Sequence, residues 1–419
     1  MSCRFRTSIV AVILAAGCAA TGADKPLASA SDELHQTFRS VTRANFDLGG
    51  DVSRQVHLNT ASYFRTATIA RRVNTKALPL NDRRDVARRT VTHKGGRSEL
   101  NQYVQTNPFV DGMLVMHKGQ IVYEQYPNMK PWQRHWVWSI SKVIVSTTVA
   151  SLMHQGKIDA EATVEQYLPG FAGSAWAGTK ISDIAHMSSG MDCLDADGYQ
   201  VKTTCIYRME ETLGITNPTG YDQNLIKHLV NIKRRGPAGV KNEYVTANTV
   251  MLSLLIEAVT QRPIAEAIQE EVWNRIGPEA DALITVSSEG YGYGGGGVIA
   301  RLRDIARFGQ LYIKPNEAGV IGSAFVEGLR NKGDVGFDDG QKAELTAEFG
   351  EDLPAHAAWQ WDYIWADGGM FKSGYSGQGL YVDPDRELVI AFFGTDSTSF
   401  EEHELLPIAR QLANSSLFQ

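Results

Sequence analysis

Cysteine is scarce in this chain, with four in 419 residues and neither a Cys-x-x-Cys pair nor a His-Glu-x-x-His. That removes the common zinc and dithiol-redox signatures, and no metal is expected. Positive charge is also short. Lys and Arg number 41 against 47 Asp and Glu, a formal net charge of −6, which argues against nucleic acid or an anionic membrane surface as partner. Long apolar runs are missing from the N-terminus, where Ile9 to Ala16 is too short to cross a bilayer as a helix.

That short run has another use. Arg4 and Arg6 precede it as a basic region, and Leu14-Ala-Ala-Gly-Cys18 follows with small residues before a cysteine. The pattern reads as an export signal over residues 1–18. Gly17-Cys18 resembles a bacterial lipoprotein processing site, at which Cys18 would carry a lipid anchor, although Ala15 stands where leucine is usual. A plain secretory cut near Ala20 is the alternative. Either way the chain is expected to be exported, to the periplasm or as an outer-membrane lipoprotein of a bacterium. Cys193 and Cys205, twelve apart in a loop-like stretch, would then pair in an oxidising compartment; two buried thiols are the other reading.

Residues 19–97 read as an Ala/Ser/Thr-rich tether followed by a basic N-terminal extension with Arg71, Arg72, Arg83, Arg84, Arg88 and Arg89. The blander account of that charge is a solvated face. Met113 to Tyr126 reads as a β-hairpin turning at Lys118-Gly119. Ser139 to His154 reads as a helix apolar nearly all round, hence a core element. Helices are also expected over Ala247–Val259, Ile264–Ile276, Val298–Ile313 and Glu402–Ala413. Gly379 to Phe393 makes two β-arms around Asp-Pro-Asp. The fold class that follows is α+β: an antiparallel sheet flanked by helices and built from both chain ends, with a mostly helical insertion. Its sheet parts fall at about 98–138 and 286–415, and its helical part at about 139–285.

Ser139-Ile-Ser-Lys142 is the only Ser-x-x-Lys in the chain. Spacing i, i+3 puts both side chains on one helical face, where a lysine can take the serine proton and make a nucleophile. Tyr244, just before a helix, offers a phenol as proton relay. Lys372-Ser373-Gly374 enters the penultimate strand. There a lysine supplies fixed positive charge, a hydroxyl can bind a substrate carboxylate or carbonyl, and a glycine lets the strand edge come close.

Ser-x-x-Lys, Tyr and Lys-Ser-Gly in this order resemble the penicillin-recognising serine hydrolases, in the branch of class C β-lactamases, family VIII esterases and 6-aminohexanoate-dimer hydrolases. Trp138 to Lys142, His186 to Met191, Tyr244 to Thr249, Gly295 to Asp304 and Gly374 to Gly379 carry the likeness, which spans residues 98–415. It implies Ser139 as nucleophile, Lys142 as base, Tyr244 as proton shuttle, and Lys372, Ser373 and Gly374 at the substrate. It also implies an oxyanion hole from the N–H groups of Ser139 and Tyr375, and no cofactor. The implied substrate is a small amide or ester; β-lactamase or DD-peptidase activity is the first alternative and a non-catalytic binding module the second. Thr246 stands where many such β-lactamases have asparagine. A hydroxyl is shorter than an amide and cannot make the same pair of hydrogen bonds to a β-lactam side-chain amide, so β-lactams are expected to be poorer substrates than a short ester or linear amide.

Other patterns carry less. Gly292 to Gly297 fits Gly-x-Gly-x-x-Gly but no parallel strand follows. Ser376 lacks the final glycine of a nucleophile elbow. His186 is expected to hold a helix end. Trp359, Trp361, Tyr363 and Trp365 alternate as a strand face, with packing on a helix the default and a substrate groove the minority view.

Overall fold

The computed structural model describes residues 35–222, 224–331, 336–396 and 405–419. The signal-like segment with Cys18, and the tether up to 34, lie outside the described residues. The chain divides at Val41; before it the described part is the helical stretch 35–40, and everything below concerns Thr42–Gln419.

The main sheet has seven strands: β1 (Val110–His117), β2 (Gln120–Gln125), β3 (His356–Ala358), β4 (Trp361–Ile364), β5 (Met370–Gly374), β6 (Gln378–Asp383) and β7 (Leu388–Gly394). Their order is β2-β1-β7-β6-β5-β4-β3, antiparallel throughout. The last strands of the chain therefore pair with the first, which closes the sheet from both chain ends as the sequence leads one to expect. The β1–β2 turn takes Lys118 and Gly119 at φ 51° and 77°, the left-handed pair that a two-residue hairpin needs.

Strands β1, β6 and β7 are apolar without polar alternation because helices cover both faces. Ile390, Phe392 and Tyr381 point toward α4 (Leu406–Ala413) and the helix Leu100–Thr106. Leu380, Val382 and Val389 point toward α3 (Leu302–Ile313), where a Cβ on Gly309 would sit 2.7 Å from Val389. On that second side lies α1 (Ile140–His154), whose residues 140–152 are all buried. Its β-branched residues are weak helix formers, so this burial, at roughly 25 cal/mol per Å² of apolar surface, is what holds it. Against α1 packs α2 (Thr246–Thr260).

A second antiparallel sheet orders Thr66–Ile69, Ala282–Thr285, Val298–Ala300 and His135–Trp136. It corrects three boundaries. The basic extension supplies a strand. Ala282–Thr285 lies inside the range assigned to the helical part. Val298–Ala300 is a strand, and the helix expected from Val298 begins at Leu302. The apolar run Val298-Ile-Ala is too short to separate helix from strand by pattern, and pairing with Ala282–Thr285 decides it. The stretch Ile264–Ile276 is helical but passes through a π-turn at Gln269–Trp273. The final helix is described from Leu406; residues 402–404 lie outside the described ones.

Candidate active site

Ser139 caps the N-terminus of α1. The residue before it, Trp138, has φ 46°, a left-handed conformation that costs a bulky residue of order 1 kcal/mol or more. The indole supplies the compensation. Its Nε1–H donates to His57 Nε2 at 3.0 Å, and its ring stacks on Trp136 with centroids 4.2 Å apart. The helix Gly50–Leu58 of the N-terminal extension thus steadies the turn that presents Ser139.

One helical turn on, Lys142 Nζ lies 2.9 Å from Ser139 Oγ and donates to the Gly295 carbonyl at 2.6 Å. Lys142 is 1% exposed. The run Gly292–Gly297 explains itself here as a close approach and not as a phosphate cradle. A Cβ on Gly295 would lie 2.5 Å from Thr246 Cγ2, so a side chain would push the carbonyl away from Lys142.

From the facing sheet, β5 brings Lys372, Ser373 and Gly374. Lys372 is fully buried, and its ammonium donates to Tyr244 Oη at 2.8 Å. Both lysine nitrogens also lie over the Tyr244 ring, Lys142 at 5.0 Å and Lys372 at 4.6 Å from its centre. Lys372 is a cation at this phenol, and Lys142 joins it once it has taken a proton, so negative charge that develops on the Tyr244 oxygen is met by positive charge. Gly374 is required by contact: a Cβ there would stand 2.5 Å from the Val137 carbonyl, and the strand could not close on the segment that carries Ser139. The Ser139 N–H donates to no acceptor among the described residues. Tyr375 follows Gly374, its ring 5.5 Å from that of Trp138, edge to face. Ser139, Lys142, Tyr244, Lys372, Ser373, Gly374 and Tyr375 thus meet, from separate parts of the chain.

Thr246 is a correction. It is fully buried, its N–H donates to Asp195 Oδ1 at 2.8 Å and its hydroxyl to Asp195 Oδ2 at 2.5 Å. The hydroxyl is committed to the protein and does not face the substrate, so the argument from Thr246 against β-lactams falls.

The residue that sequence reading missed is Asp362, in β4. It takes the Lys372 ammonium on Oδ1, and on Oδ2 the Ser373 N–H at 2.8 Å and the Ser373 hydroxyl at 2.6 Å. Its one sequence signal is a lone carboxylate within the run Trp359 to Trp365. Trp361, Asp362 and Tyr363 line the cavity, whereas Trp365 belongs to the core and Trp361 also meets Tyr312 edge to face at 5.0 Å, so packing accounts for part of that strand face. His186 caps the short helix Ile181–Ala185, as expected, and also lines the cavity.

The cavity holds about 390 Å³. Its wall includes Asp47, Asp195, Glu210 and Glu344, and no lysine or arginine is among the described lining residues. Burial, with Asp47 and Asp195 nearby, raises the Glu210 carboxyl to about 8. Burial raises Asp47 to about 6. Tyr293 donates to Glu210 at 2.7 Å.

Cys193 and Cys205 form a disulfide, with Cα atoms 5.0 Å apart. The loop it closes carries Asp195 and Tyr199, both in the cavity wall. His228 Nε2 lies 3.5 Å from Cys205 Sγ.

Comparison with known proteins agrees with this geometry. The Beta-lactamase family model matches residues 100–415. A 6-aminohexanoate-dimer hydrolase of Paenarthrobacter ureafaciens is 28% identical over 287 residues, covering 67% of this chain and 71% of that protein. Among solved structures, one described as a candidate 6-aminohexanoate-dimer hydrolase from Bacillus anthracis superposes with a TM-score of 0.76 at 22% identity, over 90% of this chain and 98% of that one. A class C β-lactamase from Rhodobacter sphaeroides gives 0.51 at 16% identity, over 72% and 94%. With its serine–lysine pair inside the matched span, the chain belongs to the Beta-lactamase family of serine hydrolases.

Proposed function

We propose that this protein hydrolyses a small linear amide or ester through an acyl-enzyme on Ser139. The observation that carries the reading is the 2.9 Å contact between Lys142 Nζ and Ser139 Oγ, with Tyr244 held beside it by Lys372. Neutral Lys142 takes the hydroxyl proton as Ser139 Oγ attacks the carbonyl carbon. The negative oxygen that forms is met by the N–H groups of Ser139 and Tyr375. Collapse breaks the C–N or C–O bond, and the leaving group takes a proton from Tyr244. Water then attacks the ester carbonyl, gives its proton to the Tyr244 oxygen, and Ser139 leaves as the hydroxyl with the proton held by Lys142.

A cavity wall with carboxyl groups and no lysine or arginine among its described residues is compatible with an amide that carries an ammonium group, and the likeness to 6-aminohexanoate-dimer hydrolases supports a linear amide. The Arg4 to Cys18 pattern and the Cys193–Cys205 pair support an exported protein, lipidated at Cys18 or cut near Ala20.

A fluorophosphonate probe tests the reading. It should label Ser139 alone, and Ser139→Ala should abolish both label and turnover. An adduct mapped to Ser376, or turnover that survives the substitution, rules the assignment out.

A further inference from the structure

A lysine ammonium and a serine hydroxyl side by side in a serine-hydrolase site are donors suited to a substrate carboxylate. In this protein both are already engaged by one. Asp362 receives Lys372 on one oxygen and the Ser373 hydroxyl and N–H on the other. The Lys372 side chain is fully buried and that of Asp362 is 9% exposed, so solvent screens the pair weakly. The pair is neutral, Asp362 lines the cavity, and the rest of the described lining adds carboxyl groups without a lysine or arginine.

We infer that Asp362 is a specificity-determining residue that occupies the carboxylate-binding position and excludes substrates with a carboxylate next to the scissile bond. β-Lactams carry such a carboxylate, as do peptides cut at their C-terminal residue. To seat one, the site must either break the Asp362 contacts or hold two carboxylates together, and each is unfavourable. Substrates that are neutral near the scissile bond meet no such obstacle, and a cationic group elsewhere is compatible with the carboxyl groups of the wall. The inference rests on the acyl-enzyme reading above and narrows its substrate class.

The test uses a matched pair, a chromogenic cephalosporin as its free acid and as the methyl ester of the same carboxylate. For the wild type and for Asp362→Asn, the ratio of kcat/KM for acid over ester is measured. Asn keeps the size and removes the charge. The ratio should rise by about tenfold or more, the worth of one charged contact of about 1.4 kcal/mol, and Glu344→Gln, which removes a wall carboxylate that does not touch Lys372, should change it by less than about threefold. A ratio that does not move in Asp362→Asn, or moves equally in Glu344→Gln, overturns the inference while leaving the acyl-enzyme reading intact. Should Asp362→Asn fail to fold, the wild type decides through two boronates. Phenylboronic acid should inhibit about tenfold more tightly than 3-carboxyphenylboronic acid, and equal or reversed affinities overturn the inference. A wild type that cleaves neither substrate and binds neither boronate removes the acyl-enzyme reading, and this inference with it.

Discussion

Asp195 and Thr246 form a two-point clamp: one carboxylate receives both the backbone N–H and the hydroxyl of the first residue of α2. The Asp195 N–H also donates to the Tyr244 carbonyl at 3.1 Å. Three bonds thus fix the short approach to α2 that carries Tyr244, and they come from the loop closed by the disulfide.

Asp195→Ala should therefore slow turnover more than it weakens binding. It leaves two buried donors of Thr246 unpaired, a cost of about 1–3 kcal/mol each, part of it felt as misplacement of Tyr244. We expect kcat to fall by roughly tenfold to a hundredfold, with KM for a small ester changed by less than about threefold. Asp195→Asn, which keeps one acceptor oxygen, should recover part of the loss. A KM effect without a kcat effect would show that Asp195 contacts substrate and does not position Tyr244.

The disulfide should matter in the same direction. Closing a loop of this size is worth about 3 kcal/mol in the chain-entropy account. Replacing both Cys193 and Cys205 with serine should lower unfolding free energy by about 2–3 kcal/mol in urea titrations. Activity per folded molecule should fall as well, because Asp195 sits inside the released loop. Unchanged stability would mean that the loop is held by its other contacts.

The two lysines should divide the chemistry at Tyr244, and substitutions should separate them. Lys142→Ala removes the amine that touches Ser139, the base of the proposed mechanism, and should abolish acylation in a pre-steady-state burst assay. Tyr244→Phe keeps the nucleophile and its base and should lose about 10²–10⁴-fold, the range for one general acid–base group. If Lys142→Ala retains near wild-type turnover, the proton of Ser139 goes elsewhere.

How much of this was legible from sequence follows from distance along the chain. Ser139 and Lys142 are one helical turn apart, so local periodicity alone puts them together. The arms Met113 to Tyr126 and Gly379 to Phe393 declare themselves by turn chemistry and β-rich composition. Asp362 and Asp195 could not be read that way. Their partners lie 10 and 51 residues away, and only strand pairing and loop packing bring them into contact. Thr246 misleads for the same reason: its position in the motif is local, but the direction its hydroxyl takes depends on Asp195. The strands Thr66–Ile69 and Val298–Ala300 are too short to carry a period of their own, and their partners at Ala282–Thr285 define them.

Glu210 predicts how stability should respond to pH. Its carboxyl is raised from an ordinary 4.5 to about 8, chiefly by burial. In the unfolded chain it ionises near 4.5; in the folded protein it keeps its proton until about 8. Over that interval the folded state binds more protons, so stability must fall as pH rises, by at most about 1.4 kcal/mol per pH unit from this group. Asp47, raised to about 6, adds the same sign over a shorter window, from its ordinary 3.8 to 6. Glu210→Gln keeps an oxygen for the Tyr293 hydroxyl and cannot ionise. The variant should be more stable than wild type at pH 8, and the two should converge toward pH 4.5. The comparison is made by urea unfolding at half-unit steps across pH 5–9. A wild type whose stability rises over this range, or a variant whose advantage is independent of pH, would mean that Glu210 is already ionised in the folded protein and that its environment, including the nearby Lys142, stabilises the charge.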